Sequence, residues 1–207
     1  MTELFVSAFV TLFVIIDPIG VSPIFASLTA DASKAQARSM AIRATVISAL
    51  ILLGFAFMGE AFLGALGIEL DAFRIAGGIM LFLIALEMIF EQRTKRREQR
   101  ADKVLAEPAE VRDVSVFPMA IPMIAGPGSI ATIMLLVSRA NGPAETAVVL
   151  AAAAAILLLT SVTLLAAGPI MRMLGEQGEA VITRLLGVIL AALAAQYVID
   201  GIRSAFA

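Results

Sequence analysis

Two short stretches of this 207-residue chain combine an interrupted helix with groups able to hold an ion or a polar solute. The first is Asp17-Pro18-Ile19-Gly20, with Ser22 and Pro23 close behind; the second is Gly126-Pro127-Gly128-Ser129, preceded by Pro118 and Pro122. Proline inside a helix removes a backbone hydrogen bond and clashes with the preceding turn, whereas at the first position of a new helix it fits. Each stretch therefore reads as a helix that stops and restarts. The restarted N-terminus carries unsatisfied N–H groups and the positive end of a dipole, which together attract an anionic group. Asp17 stands where an N-cap would, partly neutralising its own half-helix. The Gly126–Ser129 end has no acidic cap and offers backbone donors and the Ser129 hydroxyl. This asymmetry suits a zwitterion, its carboxylate at Gly128 and Ser129 and its ammonium near Asp17. The expected substrate-binding residues are Asp17, Gly20, Ser22, Gly126, Gly128 and Ser129. Competing uses of Asp17 are binding a coupling proton or Na+, or serving as a buried cap with no substrate role.

Other polar residues carry less. Glu87 falls a turn before a charged segment and reads as an interfacial carboxylate, with coupling-ion binding as its alternative. Gln196 reads as an interhelical hydrogen-bonding residue, with a secondary site role as the alternative. Arg74, near Glu69 and Asp71, reads as part of a surface charge cluster. Cysteine and histidine are both absent, so thiol catalysis, thiolate or imidazole metal sites and an imidazole proton relay are excluded. No metal site or cofactor is expected beyond a coupling Na+ or H+. No Gly-x-x-x-x-Gly-Lys-Ser/Thr sequence is present to bind a nucleotide. A net charge of −2 gives no electrostatic reason to expect nucleic acid as a partner.

The elements that must position these residues are membrane spans. Hydrophobic residues make up 60% of the chain and mean hydropathy is +0.99, against about 45–50% apolar residues in a soluble domain. A spanning helix needs about 20 largely apolar residues, and six stretches qualify: 4–29, 41–60, 73–90, 114–138, 146–170 and 182–203. The start, Met1-Thr2-Glu3 running into Leu4-Phe5-Val6, lacks a basic n-region and reads as a retained first span. With loops alternating sides, twelve basic residues fall on one side (Lys34, Arg38, Arg43, seven between Arg93 and Arg112, Arg172 and Arg184). Three fall on the other: Arg74, Arg139 and Arg203. Basic residues concentrate on the cytoplasmic side, so the 91–113 segment is expected in the cytoplasm as a solvated linker and both termini outside. From a rise of about 1.5 Å per residue, Asp17 and Gly126 each lie roughly 20 Å into their spans, near the middle of a core about 30 Å thick.

The linker separates 1–92 from 114–207, and the halves echo each other. Ile16-Asp17-Pro18-Ile19-Gly20 aligns with Ala125-Gly126-Pro127-Gly128-Ser129, and Phe73–Ile79 with Thr183–Ile189, at offsets of 109 and 110 residues. Three spans per copy force opposite topologies. The expected fold is an all-α membrane protein of six transmembrane helices in two inverted three-helix repeats, its first and fourth helices broken at mid-membrane. Inverted repeats give alternating access a structural basis. A non-enzymatic secondary transporter of a small solute follows as the expectation, with a drug or metabolite exporter as the alternative. A channel or an intramembrane enzyme is the remote one.

These residues resemble the MarC family. The matching pieces are Asp17–Gly20 with Pro23-Ile24-Phe25, Gly77-Gly78-Ile79 leading to Ala85-Leu86-Glu87-Met88, Phe117–Pro122 followed by Ala125–Gly128, and Gln196 with Asp200-Gly201. They cover nearly the whole chain in order. The resemblance implies a multi-pass bacterial inner-membrane protein among small neutral amino acid transporters or exporters. Many family members carry Asn after the Asp-Pro-x-Gly element, where this chain has Val21; Ser22 or backbone would have to supply that contact.

Overall fold

A computed structural model describes residues 1–106 and 113–206, without the side chains of 106 and 171–176. Every regular element among the described residues is helical. In chain order they are α1 (Thr2–Ile16), α2 (Pro18–Leu28), α3 (Lys34–Ala65), α4 (Leu70–Ile89) and α5 (Gln92–Ala106). A wide-turn segment, Ser115–Ile124, follows, then α6 (Pro127–Ser138), α7 (Pro143–Leu165) and α8 (Ala167–Ala205). Five stretches are long and apolar enough to cross a membrane: Thr2–Leu28, Lys34–Ala65, Leu70–Ile89, Pro143–Leu165 and Gln177–Ala205. Ser115–Ile124 and α6, bent by 54°, make a sixth if counted as one span.

Most helices begin a few residues earlier than the apolar runs alone predict. α3 starts at Lys34, seven residues ahead of the expected span, because Ser33 and Gln36 form a reciprocal capping box. The expected fifth span reached 170, but the chain turns at Ala166 and residues 167–170 open α8. Pro169 is tolerated there because the first turn of a helix has no intrahelical partner for its N–H.

Large apolar side chains point outward as readily as inward: Phe57 is 66% exposed and Leu158 68%. A surface of this kind matches lipid rather than water. Three buried hydroxyls are satisfied within their own helices, Thr45 donating to Ala41 O, Ser48 to Ala44 O and Thr160 to Ile156 O, as an environment without water favours, while those of Thr132 and Thr183 have no partner among the described residues. α4 and α8 pack backbone to backbone. A Cβ on Gly78 would lie 2.9 Å from the Ala194 carbonyl, the kind of small-residue contact that lets helices approach where lipid removes the hydrophobic drive.

Ion pairs gather the charges at two ends. At one, Arg43 meets Asp113 and Arg184 meets Glu91. At the other, Arg139 lies 2.6 Å from Asp200 and 4.5 Å over the Tyr197 ring, and Arg74 pairs with Asp71. Arg184, at Glu91, and Arg74, at Asp71, thus mark opposite ends of α4.

Candidate functional site

The site starts with two left-handed residues in the backbone. Asp17 and Glu91 are the non-glycine residues with positive φ among the described residues, at 56° and 58°. A left-handed conformation costs such residues of order 1–3 kcal/mol and persists only where the surroundings impose it. At Asp17 it ends α1, the Asp17 N–H bonding Phe13 O at 2.9 Å, and starts α2 with Pro18 in its first turn. At Glu91 it turns the chain out of α4 so that α5 lies back against this break.

α5 brings its arginines to the break. Arg97 donates to Asp17 Oδ2 at 2.8 Å and to Ile16 O at 3.4 Å. Arg93 donates to Ile15 O and, at 3.0 Å, to Met88 Sδ. The free carbonyls at the C-terminus of α1, its negative dipole end, are therefore closed by two guanidinium groups. The Asp17–Arg97 pair is buried, at 1% and 5% side-chain exposure. Asp17 Oδ1 also accepts the Gly20 N–H at 3.1 Å, which fits its expected role as N-cap. A Cβ on Gly20 would fall 2.3 Å from Asp17 Oδ2 and 3.1 Å from the Arg97 guanidinium, so only glycine leaves space for the pair. Ser22, fully buried, donates its hydroxyl to Pro18 O within α2.

The second break differs. Phe117 and Ile121, each before a proline, adopt extended conformations, as the proline ring forces on its predecessor. Hydrogen bonds consequently reach five residues back, Met119 N–H to Val114 O and Ala125 N–H to Ala120 O. α6 then starts at Pro127 after Gly126, without a side-chain cap. A Cβ on Gly126 would lie 2.4 Å from Pro122 O, so glycine is what lets the chain fold so tightly here. Ser129 is buried and donates to Ile124 O at 2.7 Å, and the N–H groups of Gly128 and Ser129, in the first turn of α6, have no intrahelical acceptor.

A cavity of about 340 Å³ opens onto this start of α6. Gly126, Gly128 and Ser129 form one wall, Ile84 and Glu87 of α4 another, and Arg93, Arg96, Arg97 and Arg100 of α5 a third. Glu87 pairs with Arg96 at 2.7 Å. Burial, and then the Arg97 charge, push the Arg93 guanidinium down to about 9 against the pull of Asp17 and Glu87, which leaves it cationic at neutral pH.

The residues expected to bind substrate are thus divided. Gly126, Gly128 and Ser129 line the cavity; Asp17, Gly20 and Ser22 lie behind Arg97, outside its lining. Glu87, read as interfacial, lines the cavity. Gln196 bonds Asp200 within its own helix, not across helices, and at the opposite end of the molecule. The segment read as a solvated linker contributes the buried Arg97 and a whole cavity wall. The spacing of Arg93, Arg96, Arg97 and Arg100 (i, i+3, i+4, i+7) places all four on one helix face, a signal present in the sequence. Among the described residues no group of three or more acidic side chains is placed to hold a metal ion.

The profile of the MarC family of integral membrane proteins matches residues 2–206. A UPF0056 membrane protein of Methanocaldococcus jannaschii is 38% identical over 203 residues, covering 98% of both chains. YvbG of Bacillus subtilis, another UPF0056 membrane protein, is 35% identical over 206 residues, covering 100% of this chain and 97% of its own. YhcE of Escherichia coli is 30% identical over 198 residues, covering 96% and 91%. No solved structure matches the chain. With agreement along its entire length and 5–6 apolar spans, the chain belongs to the MarC family of integral membrane proteins.

Proposed function

We propose that the protein is a secondary transporter of small solutes, foremost small neutral amino acids, working by alternating access at a midplane site between the interrupted first and fourth spans. The observation that carries this reading is the cavity at the uncapped start of α6, beside a second interruption held by a buried ion pair. Interrupted helices at membrane depth are tolerated where they line a cavity, and opposed half-helices are a recurrent way to hold solute and coupling ion. Two inverted repeats, the linker on the cytoplasmic side, would supply the two alternately open states.

The substrate carboxylate sits against the Gly128 and Ser129 end of α6. Its ammonium faces Glu87, the lining carboxylate, while Arg97 holds Asp17. Withdrawal of α5 exposes Asp17 to the ammonium or to a coupling Na+ or H+, and exchange of Arg97 for the cation accompanies the change of state. Uptake and counterflow of labelled glycine and alanine in proteoliposomes, under separately imposed Na+ and H+ gradients, test this. Saturable transport that Asp17→Asn abolishes is the expected result, and the effective gradient names the coupling ion. Equal transport by Asp17→Asn would remove Asp17 from the mechanism. No transport of either amino acid under any gradient would refute the substrate class.

A further inference from the structure

The cavity holds more positive charge than a neutral amino acid can use. Of its four arginines, Arg96 is paired with Glu87 and Arg97 with Asp17. Arg93 is bound only to uncharged acceptors, Ile15 O and Met88 Sδ. Arg100, half-buried in the wall, has no carboxylate partner among the described residues. Two cationic charges thus line a partly open cavity that the positive end of α6 also lines, and the charge of a zwitterion's carboxylate is cancelled by its own ammonium. Arginine binds oxyanions through paired N–H donors in a fixed fork, and an arginine cluster over a helix N-terminus is a pattern that selects anions.

Resting on the reading of this cavity as the solute site, we propose that its arginine-faced half binds a small oxyanion carrying two negative charges, of the phosphate or dicarboxylate class. The anion lies between Arg93 and Arg100 on α5 and the N–H groups at Gly128 and Ser129. A free solute supplies both charges, and the phosphodiester of an anionic lipid headgroup offers the same oxyanion with one charge, since α5 borders the expected cytoplasmic interface. Glu87 is the opposing charge in the wall: it attracts an ammonium and repels the anion.

The test is isothermal titration of the full chain in nanodiscs with inorganic phosphate, succinate and glycine. One set of discs contains only phosphatidylcholine and a parallel set contains phosphatidylglycerol. Phosphate or succinate should bind the phosphatidylcholine discs more tightly than glycine does, with affinity falling as ionic strength rises. Arg100→Gln should weaken that binding about tenfold and Glu87→Gln should strengthen it by a similar factor. Opposite signs cannot arise from misfolding, and Arg203→Gln at the far end should leave the affinity unchanged. Anion binding lost in phosphatidylglycerol discs, and restored there toward free anion as the lipid is diluted, supports the site and assigns it to a headgroup. No heat with phosphate or succinate in phosphatidylcholine discs and no effect of phosphatidylglycerol would overturn the proposal. So would affinities indifferent to both Arg100→Gln and Glu87→Gln. Glycine transport without anion binding would overturn this inference alone, whereas anion binding without glycine transport would overturn only the neutral amino acid reading.

Discussion

Asp17 and Arg97 are 80 residues apart in the chain and form the ion pair around which the first interruption is built. Breaking a buried pair by removing one partner costs about 3–5 kcal/mol, because the other charge stays buried and uncompensated. Arg97→Gln is therefore expected to lower stability by about that amount, measured by chemical unfolding in detergent micelles. Asp17→Asn should cost about as much, and the double variant markedly less than the sum of the two, since it leaves no orphan charge. Additive losses would mean that the two side chains do not act on each other. Gly20→Ala should destabilise through the same pair, its Cβ falling where Asp17 Oδ2 and the Arg97 guanidinium meet. The cap itself was legible in the sequence, because Asp before Pro-x-Gly has few other uses. Its partner was not: nothing local to Asp17 names a residue in a segment whose mixed charges look fit for water.

At the scale of elements, the apolar runs located the five stretches long enough to cross a membrane, and an end moved where polar capping extended a helix past its hydrophobic stretch, as Ser33 does for α3. α5 was the element least readable. It carries six basic residues against Glu98 and Asp102, a run that reads as solvated, but four of its arginines share one helix face, and the left-handed turn at Glu91 that folds it onto the α1–α2 break has no glycine to announce it. The far end of the same segment is tied down by Asp113, which accepts both the N–H and the hydroxyl of Ser115 and pairs with Arg43. The Ser115 hydroxyl chiefly, with the Ser115 N–H and Arg43, holds the Asp113 carboxyl below its ordinary value of 3.8. A depressed folded value means that the contribution is fully present above 3.8 and is lost as pH falls through the lower folded value. The stability advantage of the native chain over Asp113→Asn should accordingly be constant from neutral pH down to about 3.8, decline below it and vanish in stronger acid. Thermal unfolding of both proteins across that range checks the sign; an advantage that grew on acidification would contradict the hydrogen-bonding scheme.

For the whole molecule, the question is which end faces the cytoplasm. The ion pairs of Arg43 with Asp113 and Arg184 with Glu91 join three separate parts of the sequence at the end that holds α5, and the pair of Arg139 with Asp200 closes the other. The retention of basic loops on the cytoplasmic side predicts that the arginine-rich end lies there. It also sets the direction from which an anion reaches the cavity wall formed by Arg93, Arg96, Arg97 and Arg100. Because the chain has no cysteine, single thiols can be added without background at exposed positions. Gln99→Cys on α5 and Glu69→Cys ahead of α4 stand at opposite ends of the fourth helix, both exposed. In intact cells a membrane-impermeant maleimide should label Glu69→Cys and spare Gln99→Cys until the cells are opened. The reverse pattern would invert the molecule, make the cavity an external one, and turn the proposed anion from a cytoplasmic ligand into one captured from outside.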